Sequence, residues 1–208
     1  MATPPELMQA VSEATGVALG TIVDMDRWLV KAKLRTKGGR GFNAAKMTAL
    51  DAARLLTAVL ASPQSNRAAE SVQRYGKAKP DKTRSSEKLF AATGLEQLAS
   101  LPINHSFVEA LAALIASAGS GSLAKLMPAP QMEILAYTRA TRGRIRISGL
   151  PNGLTASIEY QAGPATEQAG RQGRKRAKDI GDLEQSRRIT ERTILPIAKL
   201  LSEGSADG

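Results

Sequence analysis

The sequence predicts an α+β fold, mainly helical with a small antiparallel sheet. Apolar residues recur at helical spacing in two regions, residues 7–56 and 89–117. Residues 142–148 and 154–160 instead alternate polar and apolar side chains, which is typical of strands with one buried face. The length of 208 residues allows one or two domains, each with a hydrophobic core.

Residues 1–62 are predicted to form a domain of three helices. The first helix runs into a tight turn at residues 15–17, and the second follows over residues 19–34. A basic, glycine-rich loop at residues 35–41 precedes a third helix that begins at Met47. This is the element order of a winged helix-turn-helix, which places its second helix in the DNA major groove and its loop along the backbone.

The second helix carries the side chains that we expect to reach the bases. Ile22, Met25 and Leu29 recur at i, i+3 and i+7, so they define an inward stripe and leave the opposite face available for docking. An arginine on that face suits bidentate contact with guanine, which makes Arg27 the leading specificity residue. The predicted DNA contacts on this helix are Thr21, Arg27 and Lys31.

The loop at residues 35–41 contains three cations and three glycines. Glycine tolerates a positive φ at a hairpin tip, and cations at such a tip suit the phosphates beside a groove. The alternative is a turn with no ligand, since the spacing matches no nucleotide-binding loop. The predicted backbone contacts in and after this loop are Arg35, Lys37, Arg40 and Lys46.

The stretch at about residues 14–60 resembles the winged helix-turn-helix of the MerR-like group, which includes phage excisionases and some terminase small subunits. The residues that carry the resemblance are Ala14-Thr15-Gly16-Val17, Ala32-Lys33-Leu34, the glycine-containing loop, Met47-Thr48 and Asp51-Ala52-Ala53-Arg54-Leu55-Leu56. The resemblance implies DNA binding of the kind found in phage and mobile-element regulators. Asp24 and Asp26 stand where that group commonly has an Arg and a Tyr, which argues against a metal- or drug-sensing regulator.

The remaining chain is predicted to form a linker, a second domain and a tail. Residues 63–85 are a basic linker, in which residues 66–75 can extend as a helix. The linker either touches phosphates or is simply solvated. Residues 86–162 form an α+β oligomerisation or effector domain. Residues 163–208 form a second basic linker and a C-terminal helix over residues 182–201.

Within the second domain, two helices precede three strands. The helices are predicted over residues 89–101 and 107–117. The strands are predicted over residues 132–138, 142–148 and 154–160, separated by turn residues. They should form a three-stranded antiparallel meander, with one face buried by the preceding helices.

Two further basic features are possible secondary nucleic-acid contacts. Arg142, Arg144 and Arg146 lie on one face of a single strand, where like charges repel unless an anion neutralises them. A nucleic acid, acidic residues of a neighbouring subunit, or cross-strand pairing with Glu133 and Glu159 would each do so. The second feature is the run Arg174, Lys175 and Arg176, which is either a backbone-binding arm or a solvated linker.

Composition narrows the class of partner. The chain has 29 Lys+Arg against 19 Asp+Glu, a net charge of +10, which favours a polyanion, nucleic acid first and an anionic membrane surface second. It has no cysteine and a single histidine, His105, which excludes thiolate and multi-histidine metal sites. No apolar run reaches the roughly 18 residues of a membrane span, and the first residues do not resemble a signal peptide. We expect a cytoplasmic protein with no membrane contact and no cofactor.

The sequence does not predict catalysis. His105 follows Pro102-Ile103-Asn104 at a loop–helix junction without a nucleophile nearby in sequence, so a capping or packing role is expected. The serines and threonines do not form a Gly-x-Ser-x-Gly elbow or a Ser-x-x-Lys with its companion motifs. We therefore expect a protein that is not an enzyme.

The predicted function is sequence-specific binding of double-stranded DNA, as a transcriptional regulator of phage or mobile-element type. Homo-oligomerisation, with a dimer favoured, would pair two half-sites and raise the affinity of a small module. One alternative is a phage DNA-packaging protein (terminase small subunit) or excision accessory protein. A second alternative is a non-enzymatic adaptor whose module binds another protein.

Overall fold

The computed structural model describes residues 2–37, 45–81, 96–126, 132–138, 143–148, 157–163 and 185–203. Its helices are α1 (Pro4–Thr15), α2 (Leu19–Lys31), α3 (Ala49–Ala61), α4 (Ala68–Tyr75), α5 (Glu96–Ala99), α6 (Phe107–Gly119), α7 (Ser122–Leu126) and α8 (Glu191–Glu203). Its strands are β1 (Lys79–Pro80), β2 (Glu133–Thr138), β3 (Gly143–Ser148), β4 (Ser157–Ala162) and β5 (Gln185–Thr190). The protein therefore has the mixed, α+β composition that the sequence predicts.

The five strands form one antiparallel sheet in the order β1-β4-β3-β2-β5. The predicted three-stranded meander is confirmed as β2, β3 and β4. Its register aligns Ile134 with Ile147, and Ile147 with Ile158, so that a row of buried isoleucines crosses the inner face. Arginines alternate with these residues on β3 and point to the outer face, as the sequence pattern predicts.

The C-terminal segment differs from its prediction. The helix predicted over residues 182–201 is instead β5 followed directly by α8, and residues 182–184 lie outside the described ranges. The apolar residues of a helical pattern begin only at Ile194, which left residues 185–190 without a helical stripe. Those six residues pair with β2 and bury Ile189, so strand pairing decides their conformation.

The described part of the predicted basic linker is folded. Residues 63–81 contain a 3-10 helix (Ser65–Arg67), α4 and β1. Ala68, Val72 and Tyr75 are buried and lie at i, i+4 and i+7, so they form one helical stripe inside a polar sequence. That stripe packs α4 against α3 and the sheet, which explains why these residues are not a solvated connection.

The core is continuous from the N-terminal to the C-terminal helices. Helix α3 packs against α6 and α4, and α8 packs against α6 and α1. Leu7, Leu55, Leu111 and Ile194 are all buried in one apolar cluster. The domain boundary predicted at residue 62 thus does not coincide with a gap in the core.

Two other predicted segments can be located. The helix predicted over residues 107–117 is α6, which extends to Gly119. Of the helix predicted over residues 89–101, the described ranges contain α5, and residues 89–95 lie outside them. No helix in the described part of the chain has the length and apolar character needed to cross a membrane.

Candidate nucleic-acid interface

A tight turn joins α1 to α2 and fixes the direction of α2. Gly16 has φ +71°, a left-handed conformation that glycine adopts without a side-chain clash. Its N–H donates to the carbonyl of Ser12 at 2.8 Å, and the Ser12 hydroxyl donates to the carbonyl of Val17 at 2.7 Å. These bonds close the end of α1, so only three residues separate α1 from α2.

Helix α2 buries one face and exposes a charged one. Ile22, Met25 and Leu29 are buried as predicted, and Thr21 lies half-buried at the margin. On the opposite face the Arg27 side chain is 75% exposed and contacts Asp24 at 3.1 Å. The exposed Lys31 lies over the Trp28 ring, 4.8 Å from its centroid. Two of the three predicted contacts on α2 therefore face solvent.

Arg35 does not face solvent, in contrast to its predicted role as a DNA contact. Its Nε and Nη2 donate to the two carboxylate oxygens of Asp26, each at 2.6 Å, and its side chain is only 11% exposed. Its Nη1 donates to the carbonyl of Thr36 at 2.8 Å. The guanidinium is thus committed to holding the segment after α2 against that helix. Asp26 therefore anchors Arg35, a pairing that the sequence pattern alone did not predict.

Asp51 joins the segment after α2 to the residue that precedes α3. This buried carboxylate accepts hydrogen bonds from the N–H and hydroxyl of Thr36, at 2.9 and 3.1 Å. It also accepts from the N–H and hydroxyl of Thr48, at 3.1 and 2.8 Å. Four hydrogen bonds to one buried carboxylate form a stable clamp, termed here the Asp51 clamp. The sequence pattern alone did not predict this linking role of Asp51.

The two chain segments that the Asp51 clamp joins each carry a predicted phosphate contact. Lys37 follows Thr36, Lys46 precedes Thr48 by two residues, and both lysines are exposed. One turn further along α3, Arg54 donates to the carbonyl of Leu34 at 2.8 Å and fixes the same segment. Arg40 lies outside the described ranges.

The outer face of the sheet carries arginines next to carboxylates and a tyrosine. Arg146 lies 3.6 Å from Glu159, which is one of the pairings expected from the sequence. Glu133 pairs instead with Arg188 of β5, at 3.3 Å, on a strand that was not predicted. Arg144 lies over the Tyr137 ring, 4.3 Å from its centroid. The remaining predicted contacts, Arg142, Arg174, Lys175 and Arg176, lie outside the described ranges.

His105 is a packing residue, as the sequence predicts. It is buried, its Nδ1 lies 2.8 Å from the Pro102 carbonyl, and its Nε2 lies 2.8 Å from the Tyr160 hydroxyl. Because a carbonyl only accepts, Nδ1 carries the proton and Nε2 accepts from Tyr160. Burial lowers the pKa of His105, which the Pro102 carbonyl opposes, and burial raises the pKa of Tyr160. Both groups are therefore neutral in a hydrogen-bonded pair.

The described residues contain no group of three or more His, Cys, Asp or Glu side chains that could hold a metal ion. Comparisons with protein-family models, with curated proteins and with solved structures find no match to this chain.

Proposed function

We propose that the protein binds double-stranded DNA through the exposed face of α2 and the lysines beside it. The observation that supports this is a local excess of exposed cations. Within residues 19–37 and 45–48 the only exposed acidic side chain is that of Asp24, since Asp26 is buried under Arg35. The exposed cations in the same ranges are Arg27, Lys31, Lys33, Lys37 and Lys46.

The residues of this surface have different proposed roles. Arg27 is held by Asp24 on the exposed face of α2, and its planar guanidinium suits bidentate contact with a guanine edge. Lys31, Lys37 and Lys46 are point charges suited to phosphates, which supply affinity without reading sequence. Thr21 positions the start of α2. Arg35 supports the surface from inside, and its role is structural.

Sequence-specific recognition by so small a surface benefits from two copies acting together. A homodimer would place two α2 helices on half-sites about one helical turn apart, roughly 34 Å. The affinities of the two halves would then combine. Dimeric transcriptional regulators use this arrangement, and we propose regulation of that kind.

The test is fluorescence anisotropy with a labelled random duplex at low and moderate salt. Binding should weaken steeply with salt, because counterions are released from the phosphates. The variant Lys37→Ala/Lys46→Ala should lower the logarithmic salt slope by about 1.8, since each lost phosphate contact contributes about 0.9. Lys199→Ala removes an exposed cation from α8 and serves as the control for losing a surface charge outside the proposed interface. Absence of duplex binding at low salt would overturn the proposal.

Arg27→Ala tests the specificity role separately. Duplexes selected from a random pool by the wild-type protein should lose their advantage over unselected duplexes in this variant. The expected loss of discrimination is about 1–3 kcal/mol, the contribution of one good bidentate base contact. Retained discrimination would remove Arg27 from the proposed readout.

A further inference from the structure

The outer face of the sheet is a second surface, distinct from α2. On β2 and β3 it aligns Tyr137 with Arg144, and Leu135 with Arg146. Arg188 of β5 lies on the other side of Leu135. Residues two apart on a strand are separated by about 6.8 Å, and adjacent strands by about 4.8 Å. Three guanidinium groups and one aromatic ring therefore share a small area of this face.

These side chains retain the capacity to bind an anion. The carboxylate contacts run from Nη2 of Arg146 and from Nη1 of Arg188. A guanidinium has five N–H donors, so donors remain on both groups. The Arg188 side chain is 64% exposed, and the Arg146 side chain is 38% exposed. Both can contact a ligand from solvent.

Arg144 and Tyr137 form a cation–π pair, and both side chains are partly exposed. The guanidinium carbon lies over one face of the ring, 4.3 Å from its centroid. Unpaired nucleobases stack on aromatic rings and on guanidinium planes. Base pairs inside a duplex are already stacked on one another and cannot use such a platform without unstacking.

We propose that the outer face of the sheet binds single-stranded nucleic acid. A base stacks on the Arg144–Tyr137 pair, and Arg146 and Arg188 contact the adjacent phosphates. A second copy of the chain fits this face less well. A two-fold pairing would set these arginines against the arginines of the other copy, while Glu133 and Glu159 already contact Arg188 and Arg146. A polyanion meets no such repulsion.

The test uses labelled 15-nucleotide oligothymidine and oligouridine probes with the full chain at low salt. Arg144→Gln and Tyr137→Ala should each weaken binding of the preferred probe about tenfold, the scale of one lost stacking contact. Tyr137→Phe keeps the ring and should retain binding. The ranking of the two probes identifies DNA or RNA as the preferred strand. Circular dichroism spectra confirm that each variant is folded.

A double variant on α2 and the fluorescence of a tryptophan on the same helix distinguish binding at α2 from binding at the sheet. Arg27→Ala/Lys31→Ala should weaken duplex binding and leave oligonucleotide binding unchanged. Trp28 is the single tryptophan and lies on α2, so its fluorescence should respond to duplex and not to the single strand. Failure of duplex binding alone would overturn the proposed function and leave this inference standing.

Three results would overturn the inference itself. The first is no binding of either probe at low salt. The second is unchanged affinity in both Arg144→Gln and Tyr137→Ala. The third is equal loss of oligonucleotide binding in Arg27→Ala/Lys31→Ala, which would place the single strand on α2.

Discussion

The buried pair of Arg35 and Asp26 shows how a charge in a basic segment can serve folding instead of ligand binding. Both carboxylate oxygens are bonded to the guanidinium, and both side chains are almost inaccessible. Removing one partner of such a pair leaves the other charge buried without compensation, which is the costly case. The exposed pair of Arg27 and Asp24 on the same helix provides a direct contrast.

Arg35→Ala should lower the free energy of unfolding by about 3–5 kcal/mol, because Asp26 would remain buried and unpaired. Arg27→Ala should change it by less than about 1 kcal/mol, because its pair is exposed. Urea denaturation of the two variants measures both values. Replacing both partners, in Arg35→Met/Asp26→Leu, should restore most of the lost stability. Equal effects of Arg35→Ala and Arg27→Ala would contradict the structural role of Arg35.

The single histidine, His105, makes the free energy of unfolding depend on pH. Burial lowers the pKa of His105 below 6.5, with the Pro102 carbonyl opposing it. His105 has its ordinary pKa of about 6.5 in the unfolded chain and a lower pKa in the folded protein. At a pH between these two values only the unfolded chain binds the proton, so stability falls as the pH drops below about 6.5. The pKa values of Glu109 and Glu6 are lowered below 4.5 by hydrogen bonds from Ser106 and Thr3, so these groups respond in a more acidic range.

His105→Gln should flatten the change in unfolding free energy between about pH 7 and about pH 5.5, because glutamine does not titrate. The variant should also be less stable at neutral pH by about 1–3 kcal/mol, since the Tyr160 hydroxyl loses a well-placed acceptor. Denaturant titrations at several pH values measure both effects. An unchanged slope in the variant would assign the pH dependence to other groups.

At the scale of elements, the packing of α4 beneath the sheet depends on a glycine in β3. A β-carbon placed on Gly143 would overlap the Tyr75 ring, which is buried. Tyr75 is the last residue of α4, so the missing side chain lets that helix approach the strand. The close approach explains a glycine at the start of a strand, where glycine otherwise weakens pairing.

Gly143→Ala should lower the unfolding free energy by about 1–3 kcal/mol, the usual cost of overpacking. Gly20→Ala is the matched control, because it lies on α2 with open space around its α-carbon. That change should instead raise stability by about 0.5–1 kcal/mol through helix propensity. Thermal melts of the two variants should shift in opposite directions. A Gly143→Ala variant as stable as the wild type would show that Tyr75 can move aside.

The elements that the sequence predicts well have a strong local pattern. The apolar residues of α6 recur at helical spacing, and those of β3 alternate with polar residues. Each pattern gives the element one apolar face to bury, so the local sequence is enough to predict it. Residues 185–190 were predicted as helix and form a strand instead, because β5 pairs with β2 some fifty residues earlier in the chain. The helix expected at residues 66–75 is confirmed as α4, a polar helix with a narrow buried stripe.

The same limit applies to the candidate sites. The exposed positions of Arg27 and Lys31 follow from the position of the apolar stripe on α2, so helical spacing predicts them. The pairing of Arg35 with Asp26 and the Asp51 clamp join residues nine and fifteen positions apart across a bend. Spacing within one element carries no information about such contacts. The role of Arg188 was missed with the strand that carries it.

At the scale of the whole molecule, the last helix closes a core that begins at the first. Helix α8 packs on α1 and α6, and Thr193 donates to the Ala14 carbonyl at 3.4 Å. Arg187 of β5 donates to the carbonyls of Val59 and Ser62 at the end of α3, at 2.7 and 2.6 Å. The N-terminal helices therefore receive contacts from the opposite end of the chain.

A fragment of residues 1–62 tests whether these helices fold independently of those contacts. In the full chain ten of the thirteen residues of α3 are buried, on several faces of the helix. A helix that is apolar all round requires neighbours on every side, and the fragment lacks α4, α6 and α8. We expect the isolated fragment to show little helix by circular dichroism and poor dispersion in proton NMR spectra.

The full chain should correspondingly unfold in one cooperative transition, with the same midpoint by Trp28 fluorescence and by circular dichroism. Trp28 reports the N-terminal helices alone, whereas circular dichroism reports all elements, so coincident midpoints indicate one unit. A folded fragment together with two separate midpoints would instead establish an independent N-terminal domain ending near residue 62. In the one-unit case, substitutions in α8 that loosen its contact with α1 should weaken duplex binding at a distance, because α1 holds α2 through the turn at Gly16.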